Sequence, residues 1–206
     1  GLFGDVDAAI TWHPAAFTGV DIPVSLACSE MDFHFTGRAS HAAASPELGR
    51  SALDAVELMN VGVNYMREHM PSSARIHYAI IDGGGIAANV VQAKATVRYL
   101  IRARELPEMH KLVERVRKVA AGAAMMTETT VRDQVLSADA NLIANTVLES
   151  AMHEVIERLG PVPFDAADQA FAAKFRATLS DEDVVASYKR AGLPPDREKA
   201  LCDTIV

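Results

Sequence analysis

Cysteine is nearly absent from this 206-residue chain: there are two, Cys28 and Cys202. Lying so far apart, they form no metal-type or redox-type pair and read as two free thiols of a reducing cytoplasm. Long apolar runs are missing too. None reaches the roughly 18 residues of a membrane span, so no helical span is expected. No block of basic residues stands out, and the net charge is −7. Nucleic acid and anionic membranes need a concentrated basic face, so neither is expected as a main partner. The opening GLFGDVDAAITWHP has no basic region and no cleavage pattern, and does not read as a signal peptide. Internal repeats and low-complexity tracts are also lacking. What is present is hydrophobic residue: half the chain, enough to fill the core of one large domain or two small ones.

The apolar periodicity gives an element order. Ala8 to Trp12 is a short strand candidate. Val24 to Thr36 is a strand with one buried face, because Met31, Phe33 and Phe35 alternate with Asp32, His34 and Thr36. After a loop at Gly37–Pro46, Ser45 and Pro46 predict a helix start, and Ala52, Val56, Met59, Val63 and Met66 keep helical spacing as far as Met70. Ala74–Asp82 is a strand whose Ile76, Tyr78 and Ile80 face one way. A glycine turn at 83–85 and a strand-like stretch over 88–103 follow, with Val97, Tyr99 and Ile101 on one face. Glu105–Met126 is a second amphipathic helix and residues 127–136 a fourth strand. The order β-α-β-β-α-β is the ferredoxin-like pattern, an α+β fold with two helices on one face of a four-stranded antiparallel sheet. Beyond it, residues 140–160 and 165–180 read as helices and 181–200 as a polar loop.

Within this frame His41 stands out, in the run FTGRASHAAASPELG. A neutral imidazole at such a place often does no more than bond to the backbone near a helix start. Its neighbours Gly37, Ala39, Ser40, Ala42, Ala43 and Ala44 are small, however, so a substrate could approach closely. A histidine there could donate to a developing oxyanion. Asn89 in GGGIAANVV is on local grounds an ordinary turn residue or a ligand contact. His13 is a surface histidine before Pro14 or a metal ligand at a strand end. Arg102 reads as a solvated residue of a strand. The other histidines, 34, 69, 77, 110 and 153, read as structural or solvated, with His34 notable for sharing a strand with the loop of His41.

FTGRASHAAASPELGRSALDAVELMN, followed after a strand by GGGIAANVV and YLIRA, resembles the lid, or dimerisation, domain of the zinc aminoacylase/carboxypeptidase family of metallopeptidases and amidohydrolases. The wider match takes in GLFGDVDAAITWHP and ANLIANTVLE…RLGPVPFDAADQAFA. The resemblance implies a catalytic domain with two divalent metals, zinc or manganese, into which the lid is inserted. It implies hydrolysis of the amide of an N-acyl or N-aroyl amino acid such as glutamate, by a homodimer joined through the lid. His41 matches the lid histidine that reaches the partner's active site and supports the tetrahedral intermediate. Asn89 matches the asparagine that holds the substrate's carboxylate or carbonyl, Arg102 resembles a basic residue at the end of the third lid strand, and His13 matches a metal ligand. Gln92 departs from the pattern, standing where the family usually has a proline that fixes the exit of the chain.

The resemblance also implies an organisation: residues 1–23 as the end of one part of an α/β catalytic domain, 24–137 as the lid, and 138–206 as the start of the second part. Both ends then look cut from a longer chain. The family's remaining ligands are missing, since no HxD, CGH or EE sequence occurs. The chain alone is therefore expected not to bind both metals and to be inactive. Two rivals stand beside this reading: a non-catalytic dimerisation module, and a free-standing ferredoxin-like domain that binds a small molecule.

Overall fold

A computed structural model of the chain describes residues 3–20, 25–196 and 199–206. They form two compact units, Pro23–Ile143 and the pair Gly1–Ile22 with Ala144–Val206. The expected boundary at residues 23 and 24, and the start of the first lid strand at Val24, lie outside the described residues.

Pro23–Ile143 contains the ferredoxin-like arrangement. Its elements are β1 (Ala27–Thr36), α1 (Ala52–Met66), β2 (Arg75–Asp82), β3 (Lys94–Ala103), α2 (Leu106–Met126) and β4 (Thr130–Asp139). The strands form one antiparallel sheet in the order β2-β3-β1-β4. Strands β1 and β3 pair over their whole length, from Ala27 opposite Ala103 to Thr36 opposite Lys94. Both are central and two-sided, and their alternation sends Met31, Phe33, Phe35, Val97, Tyr99 and Ile101 to the helix side. There they meet Val56, Met59 and Val63 of α1 and Met109, Leu112 and Val116 of α2, in one continuous core. Each such side chain contributes about 1.5–3 kcal/mol by leaving water. The Phe33 and Tyr99 rings meet edge-on with centroids 5.8 Å apart. The Tyr99 hydroxyl donates to Asn60 Oδ1 at 2.6 Å, so these two buried polar groups satisfy one another.

Several boundaries differ from expectation for reasons visible in the chain. Pro46 opens only a single 3-10 turn, Pro46–Leu48, and Ser45 makes no capping bond. The residues after it, Gly49 and Arg50, are drawn into extended pairing with Arg38, whose amide and carbonyl each bond Arg50 at 2.9 Å. Helix α1 therefore starts only at Ala52, with Ser51 accepting from the Asp54 amide at 3.0 Å. Strand β3 begins at Lys94 rather than residue 88, because residues 89–92 pair with the His41 loop instead of the sheet. Ile80 is 49% exposed, since β2 is an edge strand whose register shifts between Ile80 and Asp82.

The other unit holds α3 (Thr146–Leu159), α4 (Ala166–Arg176) and α5 (Asp181–Arg190). The strand expected over Ala8–Trp12 is absent: that segment has no regular structure, and Ile10 and Trp12 are exposed. The expected polar loop after residue 181 is in fact α5. Ser180 accepts from the Asp183 amide and Asp183 bonds back to the Ser180 amide, a reciprocal cap. Three acids open that helix and Lys189 and Arg190 close it, which suits the helix dipole. Thr18 and Ile205 make a single parallel bridge rather than a strand pair.

Candidate functional site

The site is assembled by three short segments at the end of β1: 37–42, 49–52 and 89–93. Gly37 donates its amide to the Ala93 carbonyl at 2.8 Å, Val91 to the Ser40 carbonyl at 2.9 Å, and Ala42 to the Asn89 carbonyl at 2.9 Å. Ala52 donates to the Gln92 carbonyl at 2.8 Å. The chain's exit at Gln92, which a proline would have fixed, is thus held by bonds on both sides of residue 92. This pairing sets His41 beside Val90 and Asn89. Sequence separates His41 from Asn89 by 48 positions, and the fold places them side by side.

The imidazole is oriented by its own loop. The Ala43 and Ala44 amides both donate to His41 Nδ1, at 3.2 and 3.1 Å. With Nδ1 held as an acceptor, the neutral ring carries its proton on Nε2, so His41 presents an N–H donor to solvent. The Asn89 side chain is exposed and free of hydrogen bonds among the described residues. An exposed donor beside an exposed amide can receive a carbonyl or carboxylate without desolvating a buried charge first. Arg50 braces the base of the loop, with Nε on Glu128 Oε2 at 2.9 Å and its guanidinium on the Gly49 carbonyl at 2.6 Å. Glu128 is held with φ at +53°, the only described non-glycine residue in the left-handed region.

Arg102 does not join this group. It lies opposite Cys28 and Arg75 near the far end of β3, eight residues beyond Lys94. At the rise of a strand, that is about 26 Å from the site. His13 belongs to the other unit, is exposed, and turns Nδ1 toward the Pro14 carbonyl at 2.9 Å. Among the described residues no three His, Cys, Asp or Glu side chains gather into a group that could hold a metal ion.

The open face of the sheet carries a second polar cluster. Arg98 grips Asp32 with two bonds, 2.7 and 3.0 Å, and this holds the Asp32 carboxyl below its ordinary value. Next to it His34 Nδ1 meets Thr96 Oγ1 at 3.1 Å, while His34 Nε2 is buried without a partner. The alternation along β1 put Asp32 and His34 on this face, and only the β1–β3 register could reveal their partners. Two residues of the His41 site escaped sequence reasoning. Ser40 has a buried hydroxyl with no partner, and Gly49 packs on it. The signal for Gly49 was its place between two stretches that turned out to pair.

A family model for the peptidase dimerisation domain matches residues 29–126. The chain is 48% identical over 183 residues to a p-aminobenzoyl-glutamate hydrolase subunit of Escherichia coli (strain K12), covering 89% of the chain and 38% of that protein. It is 31% identical over 161 residues to Xaa-Arg dipeptidase of Mus musculus, covering 78% of the chain and 37% of that protein. Among solved structures, an aminobenzoyl-glutamate utilization protein from Klebsiella pneumoniae superposes with a TM-score of 0.54 at 23% identity, over 67% of this chain and 37% of that one. The chain thus spans less than two-fifths of the length of these relatives. With its antiparallel four-stranded sheet, two covering helices and these relatives, the chain belongs to the family of peptidases whose dimerisation domain that model describes, and carries that domain.

Proposed function

We propose that this chain is the lid-bearing segment of an amidohydrolase that cleaves the amide of an N-acyl or N-aroyl amino acid, p-aminobenzoyl-glutamate-like, and that His41 and Asn89 are its contribution to the reaction. One observation carries the reading: the Ala43 and Ala44 amides hold His41 as an Nε2–H donor beside the free Asn89 amide. As an amide carbonyl becomes tetrahedral its oxygen gains negative charge, and a donor fixed in advance stabilises that charge more than the ground-state carbonyl. Asn89 then holds the acid group or carbonyl of the substrate. The placement of Arg102, a strand's length away, favours a solvated role for it over substrate contact.

The family implies two divalent metals, zinc or manganese, but the described residues do not build such a site. His13 alone would be one ligand, with the others drawn from chain outside these 206 residues. The flanking residues 1–23 and 138–206 fit pieces of a catalytic domain in one respect: their helices expose Val147, Leu159, Phe171 and Phe175, apolar surface of the sort that another part of a protein covers. By this reading the chain alone hydrolyses nothing. The domain pairs with a second copy, and the surface that suits this is the free edge of β2 with the exposed stripe Leu58, Val61 and Tyr65 on α1. No helix among the described residues is long and apolar enough to cross a membrane, and the unpaired thiols of Cys28 and Cys202 suit the cytoplasm. A second reading, a dimerisation module without catalysis, is favoured by the missing ligand group alone.

The test uses the intact enzyme that carries this segment. His41→Ala should lower kcat by about 10²–10³ with little change in KM, the mark of a donor that acts in the transition state. Mixing that mutant with an enzyme disabled only in its own catalytic domain should restore part of the activity, because each mixed dimer then has one complete site. An unchanged kcat would overturn the catalytic role of His41 and favour the second reading. No recovery in verified mixed dimers would show that His41 serves its own protomer.

A further inference from the structure

We infer that Gly49 is a positioning residue that sets the spacing between the His41 and Asn89 segments. The inference rests on the reading of that pair as the functional site. Gly49 has φ −82° and ψ 154°, extended backbone that any residue adopts, so glycine is not required there for its conformation. It is required for space. A Cβ at Gly49 would stand 2.5 Å from Ser40 Oγ and 2.8 and 2.9 Å from the two methyls of Val91. Ser40 and Val91 are bonded to each other, the Val91 amide donating to the Ser40 carbonyl at 2.9 Å. Ser40 immediately precedes His41, and Val91 comes two residues after Asn89. The volume left empty by Gly49 is therefore the place where the two segments carrying the candidate residues close on one another.

The neighbours differ in how they could yield. The Ser40 hydroxyl is buried and makes no hydrogen bond, so it has none to lose on turning aside. Val91 is β-branched and stiff at χ1, so it must carry its backbone with it. That backbone is the one that bonds Ser40. A Cβ at Gly37 would likewise run into the Arg50 carbonyl, so the start of the 37–42 segment is also packed closely on the backbone next to Gly49. A side chain at 49 must spread Ser40 from Val91, and with them His41 from Asn89, while the sheet below has no part in the clash.

The experiment is amide exchange and nitrogen NMR on the full 206-residue chain, which reads geometry without turnover. In Gly49→Ala the Ala42 and Val91 amides, which bond across the two segments, should exchange at least about tenfold faster. The nitrogen shifts of His41 should move toward a mixture of tautomers, and amides within β1 and β3 should keep their rates. Adding Val91→Ala removes the stiff neighbour and should restore the protection of Ala42. Gly83→Ala, whose Cβ would meet nothing within 4 Å, should leave all these signals unchanged. Unchanged rates at Ala42 and Val91, no rescue by Val91→Ala, or a loss spread equally over β1 and β3 would each overturn the inference. The last would make Gly49 a general folding residue. A failure of the His41→Ala kinetic test would leave these exchange results standing, so the two readings fail separately.

Discussion

The two compact units divide the chain's charge and its core very unequally. Residues 23–143 hold 13 acidic and 13 basic side chains, while the flanking residues hold 14 and 7, so the whole −7 lies in the flanks. In the central unit β1, β3 and the two helices enclose a core with Phe33 at 1% exposure and Tyr99 at 0%. In the flanks a single described side chain, Tyr188, is buried. Yet local helix signals are stronger in the flanks. Helices α4 and α5 each have a reciprocal capping box, whereas α1 has a single serine cap and α2 no side-chain cap at all. Caps determine where a helix begins, and burial determines whether it persists. Isolated helices of 10 to 14 residues are marginal without packing.

The largest test of that contrast is to measure both units in one molecule. Amides of β1 and β3 should exchange more than about 10³-fold slower than those of α3, α4 and α5, because only the former open with the whole fold. Phe33→Ala should cost about 3–5 kcal/mol in urea unfolding, as a fully enclosed ring leaves a cavity. Phe171→Ala, at 61% exposure, should stay within about 0.5 kcal/mol. Equal protection across the two units, or equal costs, would show that the flanks have a core the contrast denies them.

A smaller effect probes the polar pairing inside the central unit. Tyr99→Phe leaves Asn60 Oδ1 buried without its donor and should cost about 1–3 kcal/mol. Burial pushes the Tyr99 hydroxyl well above its ordinary value. A raised folded value means its stabilisation is complete below about pH 10 and fades as pH rises past it. Asp32 runs the other way. Arg98 holds its carboxyl low, so its stabilisation is present above about pH 4 and is lost as pH falls further. Urea midpoints should accordingly fall off at both extremes, with Tyr99→Phe flattening the alkaline limb and Asp32→Asn the acid one. A wild-type alkaline limb retained in Tyr99→Phe would assign that limb to another group.

What was legible in the sequence follows the same division. Period-two alternation in β1 and β3 and helical spacing in α1 and α2 were clear because a full core enforces them, and the ferredoxin-like order followed. The Ala8–Trp12 strand failed because apolar composition does not supply a neighbouring strand to bond with. Helix α5 was missed because a polar segment carries little periodicity, although Ser180 and Asp183 stood at capping-box spacing. At the site, His41 and Asn89 were each visible as residues among small neighbours. Their adjacency was not, because it depends on backbone pairing between segments 48 residues apart. The ring's tautomer depends on two amides whose direction no motif states.

The helix start at Ser45 or Ser51 separates local signal from tertiary pairing most finely, with the smallest expected effect. Ser45-Pro46-Glu47 has everything a helix start needs locally: a capping residue, a proline at the first position and an acid in the first turn. It yields one 3-10 turn, because the Arg38–Arg50 pairing holds the following residues extended. Ser51 takes over, accepting from the Asp54 amide while its own hydroxyl donates to the Asp54 carboxylate at 2.8 Å. Ser51→Ala should therefore cost about 1 kcal/mol, the usual loss of a serine cap, read as a lower urea midpoint at unchanged slope. Ser45→Ala should cost little, since no capping bond is lost. Reversed costs would mean that in solution the helix starts at Pro46. The Arg38–Arg50 pairing would then have to be open, and with it the base of the loop that carries His41.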